Sequence, residues 1–420
     1  MSNSHSPQNP TLLLVSATGA DLEAYRGYSL ESLATTYDVV LICQAEPTWE
    51  RAFIVDFEVA DLNSTHALSQ AGQDLAARHD LAGVLTWTEW YLAPTARLAR
   101  HLGLPTTSPE AMDAARNKAS ARALFAWHGV PSAASRTADS PREAALASAT
   151  IGYPVVLKPA ARAGSIGVIR VDRAEDLPAA FEFAFAGARD GSESTQVLVE
   201  EYLDGPEVSV ECVTHCGTTT AVAVTRKTLG DEPFFEEIAH SIDAADPLLP
   251  VVAPVASAAV KALGITDGVQ HVEMRLVNGR PRLIEVNARI GGDMIGHLVH
   301  LATGIDLARA AADTACDQPP NLTPTRRAAA AIRLLYPDAS GTLTRRQLNP
   351  TLAASAPWLE RVAFQRRVGD TVLLPEDGGN MFSARVGFLI TTGESAKDAQ
   401  ANADKALSHI SLSVRPQHAA

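Results

Sequence analysis

The stretch HVEMRLVNGRPRLIEVNARIGG, His271 to Gly292, decides how the chain is read. Two apolar-alternating runs flank Asn278-Gly279, a dipeptide suited to a tight hairpin turn because both residues tolerate positive φ. A two-residue turn would pair Val277 with Arg280 and Glu273 with Ile284, setting apolar residues against polar ones along the ladder. A three-residue loop, Asn278-Gly279-Arg280, pairs Val277 with Pro281 instead. Val272 then meets Val286, Met274 meets Ile284 and Leu276 meets Arg282 on one face, while Glu273 meets Glu285 and His271 meets Asn287 on the other. A one-residue slip exchanges the faces, so burial selects this second register. It sets two glutamates opposite each other with Cβ atoms about 5 Å apart. Like charges so placed call for a shared proton or a divalent cation. Asn287, as a neutral third oxygen ligand, favours the cation, and hard Mg²⁺ takes such oxygens and completes its shell with water and phosphates. A solvated sheet face would leave the same residues without a ligand.

The 420-residue chain as a whole bounds the answer: 46% hydrophobic and 20% charged residues describe a globular protein of one very large domain or two to three ordinary ones. A net charge of −13 argues against a general nucleic-acid binder, which needs a basic field. It leaves room for a small anion held by local Lys and Arg. Four cysteines make no disulfide framework, and Cys212, His215 and Cys216 read as ordinary residues of a strand-turn-strand pattern rather than a metal site. No apolar run reaches membrane-spanning length. The polar start MSNSHSPQNP lacks the charged n-region of a signal peptide, so a soluble, cytoplasmic protein is expected.

Thr11–Val15, Tyr37–Leu41 and Leu81–Thr86 read as buried strands separated by helical patterns, the last followed by a helix over Leu92–Leu102. Alternation of this kind predicts a parallel, doubly wound sheet, ending near Met112. Ligands of such sheets gather beyond the carboxyl ends of the strands. Glu89, just past the third strand, is therefore a candidate rim residue or else a solvated loop acid. Asp113–His128 reads as one helix carrying Lys118. Pro154–Leu157 and Val168–Val171 read as strands around a small-residue loop, Ala160–Gly167, with a helix over Ala174–Ala188. Gln196–Val213 reads as a strand, a turn at Asp204-Gly205-Pro206 and a second strand. A helix over Asp293–Ala302 stops at Gly304, and an amphipathic helix lies near Ser395–Ile410.

If a divalent ion sits on the hairpin, phosphates are expected beside it. Lys158 ends a strand, and Gly164, Ser165 and Gly167 let backbone N–H groups close on an anion. Lys118 is a second cation. Glu200-Glu201-Tyr202-Leu203 ends another strand and Glu207 follows its turn. A purine needs a backbone donor and acceptor there, and a ribose needs a carboxylate; a charged hairpin end would look the same.

The order of these pieces, Lys, Lys with a glycine loop, Glu-Glu-x-Leu-(x)₃-Glu and Glu-(x)₁₁-Glu-x-Asn-x-Arg, resembles the ATP-grasp superfamily over nearly the whole chain. The resemblance implies an ATP-grasp fold of the α/β and α+β classes. Residues 1–112 would be a doubly wound parallel-sheet domain, 113–326 the ATP-grasp domain with a lid at about 150–205, and 327–420 a mixed subdomain completing its core. It further implies that Lys118 and Lys158 contact ATP phosphates, that Glu201 to Leu203 hold adenine by backbone groups, and that Glu207 takes the ribose. Glu273, Glu285 and Asn287 would bind Mg²⁺, with Mn²⁺ the other candidate. Asn287 and Arg289 would act at the reacting phosphoryl and carboxyl groups, where a guanidinium fork stabilises spread negative charge.

Three stretches resemble the L-amino-acid (dipeptide) ligase branch: Leu85 to Arg122, Lys227 to Ala244, and Asn287 to Asp293. The C-terminal FSARVGFLITTGESAKDAQANADKAL resembles that branch's closing subdomain. By this likeness Glu237 and His240 would receive an amino-acid amine or assist its deprotonation. Gly291, Gly292 and Asp293 would border the substrate, and Arg333 would bind a substrate carboxylate or make a surface salt bridge. The implied reaction is ATP-dependent amide formation between a small carboxylate and an amine, with a homodimer expected by analogy alone. Biotin-carboxylase-like or purine-synthesis-like chemistry is one alternative, and a non-catalytic ATP-binding regulator another. Arg162 stands where carboxylase-like relatives carry glycines, and no Met-Lys-Met sequence for biotin is present.

Overall fold

The computed structural model describes residues 9–190 and 193–416, so most of the polar opening segment lies outside the described residues. The N-terminal sheet is parallel, with strand order Asp56–Val59, Asp38–Cys43, Thr11–Val15, Leu81–Leu85. Its central strand TLLLV is buried on both faces. Leu12 and Leu14 pack with Leu30 and Leu33 of the helix Ala20–Ala34, whereas Leu13 and Val15 pack with Leu68 and Leu75 of the helix Thr65–Ala76. That two-sided burial is why the run is continuously apolar. The strand Asp56–Val59 is additional to the three expected ones. It is an edge strand whose Asp56 bonds Arg78 and His79, each at 2.8 Å, so its sequence carries no apolar run.

The expected helix over Asp113–His128 is two helices, Pro109–Arg116 and Lys118–Trp127. Asn117 takes an extended conformation between them, and its side-chain oxygen accepts from Ala119 N and Ser120 N at 3.0 and 3.1 Å. An Asn in mid-pattern is here an N-cap, satisfying donors that a continuous helix would have paired. The break puts Lys118 at the start of a helix.

Gln196–Val213 is a strand, a turn and a second strand, as expected. Val197–Glu201 and Glu207–His215 do not pair as a hairpin but belong to different sheets. The first lies in a four-stranded sheet ordered Ser135–Ala138, Val197–Glu201, Val155–Pro159, Ile169–Val171. The second joins an eight-stranded antiparallel sheet. Gly205 at φ 145° makes the crossing, and a Cβ there would lie 2.3 Å from Leu276 O. The large sheet runs Arg280–Asn287, Gly268–Val277, Glu207–His215, Thr218–Leu229, Glu237–Asp243, Ala329–Leu335, Gly387–Gly393, Leu359–Phe364. C-terminal strands thus extend the sheet that carries the opening hairpin. The helix Ile295–Thr303 ends at Gly304 in the left-handed region, and Ser395 caps the helix Ala396–Leu407, both near their expected places. Among the described residues no helix is long and apolar enough to cross a membrane.

The hairpin register combines both readings of the sequence. At the turn Val277 pairs with Arg280 and Leu276 with Pro281, with Asn278 at φ 50° and Gly279 at φ 75°. This is the two-residue turn, not the expected three-residue loop. Met274 pairs with Leu283, not Ile284, and a bulge follows. Beyond it Glu273 meets Glu285, Val272 meets Val286 and His271 meets Asn287, as burial required. One extra residue absorbed at Ile284 reconciles turn chemistry with face assignment. Arg122 donates to the bulged Ile284 carbonyl at 2.6 Å.

Candidate active site

A cavity of about 760 Å³ lies between the N-terminal sheet, the four-stranded sheet and the hairpin. Glu273, Glu285, Asn287 and Arg289 all line it. The two glutamates share one sheet face, and each is neutralised separately. Lys118 Nζ bonds Glu285 at 2.9 Å and also donates to Arg162 O at 2.6 Å. Glu273 Oε1 faces Lys227 Nζ at 3.4 Å and His271 Nε2 at 3.2 Å, and accepts from Asn287 Nδ2 at 3.3 Å. Burial alone would raise the Glu273 carboxyl, yet Lys227 and His271 hold it down at about 2.

Glu89 is no solvated loop acid. It is 4% exposed, forms an ion pair with Arg289 Nε at 2.5 Å and accepts a hydrogen bond from Arg116 Nη1 at 3.0 Å. It fixes the guanidinium two residues beyond Asn287. Lys158 Nζ bonds Glu200 at 2.5 Å, and Arg122 grips the same carboxylate at 2.7 and 3.0 Å. Burial would raise Glu200, but Arg122 and Lys158 hold it at about 2. The Glu201 carboxylate is likewise taken, by Arg282 at 2.6 and 2.8 Å and Ala134 N at 3.1 Å. The backbone N–H groups of Glu201 and Tyr202 donate to Ala134 O and Pro154 O. Leu203 N–H has no acceptor among the described residues, while Leu203 O takes Arg275 Nη1 at 3.1 Å. Glu207 bonds Arg275 Nε at 3.1 Å.

Gly164 and Ser165 line the cavity; Gly167 does not, and packs on Pro159 and Ala184. Gly291 and Gly292 also differ. A Cβ on Gly291 would lie 2.9 Å from His271 Nδ1, whereas one on Gly292 meets nothing within 4 Å. Asp293, at φ 49°, is gripped by Arg385 at 2.5 and 3.1 Å and by His240 at 3.1 Å. Glu237 reaches the cavity wall, but His240 is 1% exposed and stands behind it, 3.5 Å from Glu237. Arg333 is outside the site: it pairs with Asp404, and the surface-bridge alternative holds. Cys212 is buried in its strand, and Cys216 sits at φ 49° in the following turn.

A family model for the ATP-grasp domain matches residues 151–297, and one for L-amino acid ligase C-terminal domain 2 matches residues 333–415. Residues 151–297 form an ATP-grasp domain, and the chain has the ATP-grasp fold. It is 28% identical over 361 residues to uncharacterized protein y4rH of Sinorhizobium fredii, across 86% of this chain and 74% of that one. It is 31% identical over 269 residues to carnosine synthase 1 of Homo sapiens, across 59% of this chain and 32% of that one, so it spans about a third of that relative's length. The crystal structure of an L-amino acid ligase from Bacillus licheniformis superposes with TM-score 0.79, covering 98% of this chain and 100% of that chain at 22% identity. That likeness establishes a shared fold.

Three cations of this ATP-grasp chain were not singled out as site residues from sequence. Lys227 has a side chain only 1% exposed and lies 2.5 Å from Glu237, 3.4 Å from Glu273 and 3.6 Å from Glu207. Burial would lower its pKa, but the three carboxylates raise it well above the usual lysine value. Its signal was a lone lysine within the strand Thr218–Leu229. Arg122 carried none beyond a helical position. Arg385 lies 92 positions from its partner Asp293, a separation no local pattern spans.

Proposed function

We propose that this chain is an ATP- and Mg²⁺-dependent carboxylate–amine ligase. It joins an amino acid to a second amino acid or small acid through an acyl phosphate, releasing ADP and phosphate. The observation that carries this reading is the opposed pair Glu273 and Glu285 on the cavity wall, followed on the same strand end by Asn287 and Arg289. The donor set suits a hard ion: two carboxylates and one amide, with the carboxylates now held by ammonium groups that phosphate oxygens would compete for. Mg²⁺ there would neutralise phosphate charge during transfer.

Lys118, Lys158 and the backbone at Gly164 and Ser165 would hold the phosphates, Leu203 N–H the adenine and Glu207 the ribose. Glu200 and Glu201 act at one remove, setting Lys158 and Arg282. A substrate carboxylate oxygen attacks the γ-phosphorus and the bond to ADP breaks. Arg289, aimed by Glu89, stabilises the charge shared between phosphoryl and carboxyl groups. The amine nitrogen then attacks the acyl carbon, phosphate leaves, and the amine loses a proton. Glu237 receives the substrate ammonium; burial opposes its ionisation, but Lys227 and His240 keep the carboxyl well below the usual range.

The L-amino acid ligase C-terminal match and the sequence similarity to carnosine synthase 1 support amino-acid substrates over the carboxylase-like alternative. A phosphate-release screen over pairs of amino acids, with mass detection of products, tests the reading. Amino-acid-dependent ADP release with a condensed product is expected. Release that depends on bicarbonate or formate instead, or ATP binding with no release, overturns it.

A further inference from the structure

The end of the cavity near Arg289 carries a cation with no counter-charge bonded to it among the described residues. Arg26 lines the cavity from the helix Ala20–Ala34, beside Leu22 and Tyr25 one turn earlier and one residue before. Its guanidinium carbon lies 5.8 Å from the centroid of Trp87. Trp87 is 4% exposed, and its indole N–H donates to Ser16 Oγ at 2.9 Å, so the platform under Arg26 is fixed. Ser16 and Trp87 both follow parallel strands at their carboxyl ends, where ligands of such sheets collect.

Among the described residues Arg162 and Arg366, on the cavity wall, make no ion pair either, but the remaining arginines around this cavity hold acids. Arg116 and Arg289 share Glu89, Arg122 holds Glu200, Arg275 holds Glu207 and Arg385 holds Asp293. Among the described residues the Arg26 guanidinium has no hydrogen bond or ion pair. Asp293, the carboxylate acting on it from a distance, is already bonded by Arg385 and His240. Burial works against the Arg26 charge and nearby Arg289 adds to that, yet a guanidinium does not give up its proton in proteins. A half-buried guanidinium with no acid bonded to it is open to an anionic ligand in the cavity.

We propose that Arg26 is the receptor for a substrate carboxylate that is not consumed in the reaction. This rests on the ligase reading above. Two groups carry that chemistry: the α-carboxylate of the amine-donating amino acid, and a side-chain carboxylate on either substrate. The planar fork of Arg26 matches both, and the indole beneath it fixes the plane.

The test uses the full chain with ADP and Mg²⁺ present. Calorimetric titration compares alanine with alaninamide, glutamate with glutamine and aspartate with asparagine, in the native protein and in Arg26→Met. A site built around a charged fork is expected to prefer the acid over its amide by at least about 100-fold in one pair, and Arg26→Met erases that preference. Preference in the alanine pair names the α-carboxylate, and preference in the other pairs names a side chain. Arg26→Lys, which keeps the charge and loses the fork, serves if Arg26→Met does not fold, and is expected to lose at least tenfold of the preference. Native protein without a preference in any pair, or a variant that keeps it, overturns the assignment. Absence of ADP release with every amino-acid pair, alongside a preference lost in Arg26→Met, would instead overturn the ligase reading and leave this receptor standing.

Discussion

Lys118 and Glu285 meet at 2.9 Å, so the lysine expected from sequence to face phosphate bonds the carboxylate expected to face a metal ion. In this arrangement each satisfies the other, and on the proposed ligase reading ligand binding would be an exchange, the carboxylate turning from ammonium to metal ion as the ammonium turns to phosphate. Glu285→Gln is predicted to keep the fold, because a carboxamide oxygen still accepts from Lys118, and to lower Mg²⁺-dependent turnover by more than about 100-fold. Turnover against Mg²⁺ concentration, with a thermal melt as folding control, measures both. Unchanged turnover would remove Glu285 from the metal site.

Lys227 is the single ammonium within 4.0 Å of three carboxylates, Glu207, Glu237 and Glu273, among the described residues. Lys227→Met strands them, a loss on the order of 3–5 kcal/mol for a broken buried pair. The pH dependence has a defined sign. In the native protein the lowered carboxyls of Glu237 and Glu273 contribute stability above their ordinary value of 4.5, and lose it as pH falls toward the folded value, about 2 for Glu273. In the variant the stranded acids bind protons on folding, so stability rises as pH falls from 7 to 5. Denaturation midpoints across that range distinguish the two; parallel profiles would contradict the prediction.

These residues also mark what sequence could and could not say. The hairpin acids were legible because alternation and the one-residue slip rule leave Glu273 and Glu285 on one face whatever happens at the turn. The turn itself was misread because a bulge at Ile284 costs one unpaired residue and leaves no compositional trace. Asn117 was read as helix interior because a cap inside an unbroken apolar period looks like an ordinary polar position. Glu200 and Glu201 looked like ligand-facing acids, since nothing local to them announces Arg122 and Arg282, whose approach depends on tertiary packing. Arg333 was left between a substrate carboxylate and a surface bridge for the same reason: its partner Asp404 is on a distant helix.

His271 ties Glu211 to Glu273, with Nδ1 at 2.9 Å from Glu211 Oε1 and Nε2 at 3.2 Å from Glu273. Burial would lower the imidazolium's pKa, but Glu211 raises it to about 9 from 6.5. A raised folded value means that this contribution is fully present below pH 6.5 and disappears as pH climbs through 9. The shift corresponds to about 3 kcal/mol at most. His271→Asn is expected to be less stable at pH 6.5 and to lose that alkaline dependence between 6.5 and 9. Chemical denaturation at intervals across this window checks it, and a variant with the native slope would show that some other group titrates there.

Gly291 and Gly292 make opposite predictions although they are neighbours. A methyl on Gly291 would meet His271 Nδ1 at 2.9 Å and Ile295 Cβ at 3.2 Å. His271 is no flexible end that swings aside, because Glu211 holds the same nitrogen. Gly291→Ala should therefore cost about 1–3 kcal/mol and disturb Glu273 through the displaced imidazole. Gly292 lines the cavity and its added methyl meets nothing within 4 Å. Gly292→Ala should leave the melting temperature unchanged and act only on cavity volume, raising KM most for the bulkiest accepted substrate while sparing the smallest. Melts of both variants, with KM measured across substrates of graded size, separate the two effects. A Gly292→Ala protein that binds large and small substrates as the native chain does would place the substrate elsewhere in the cavity.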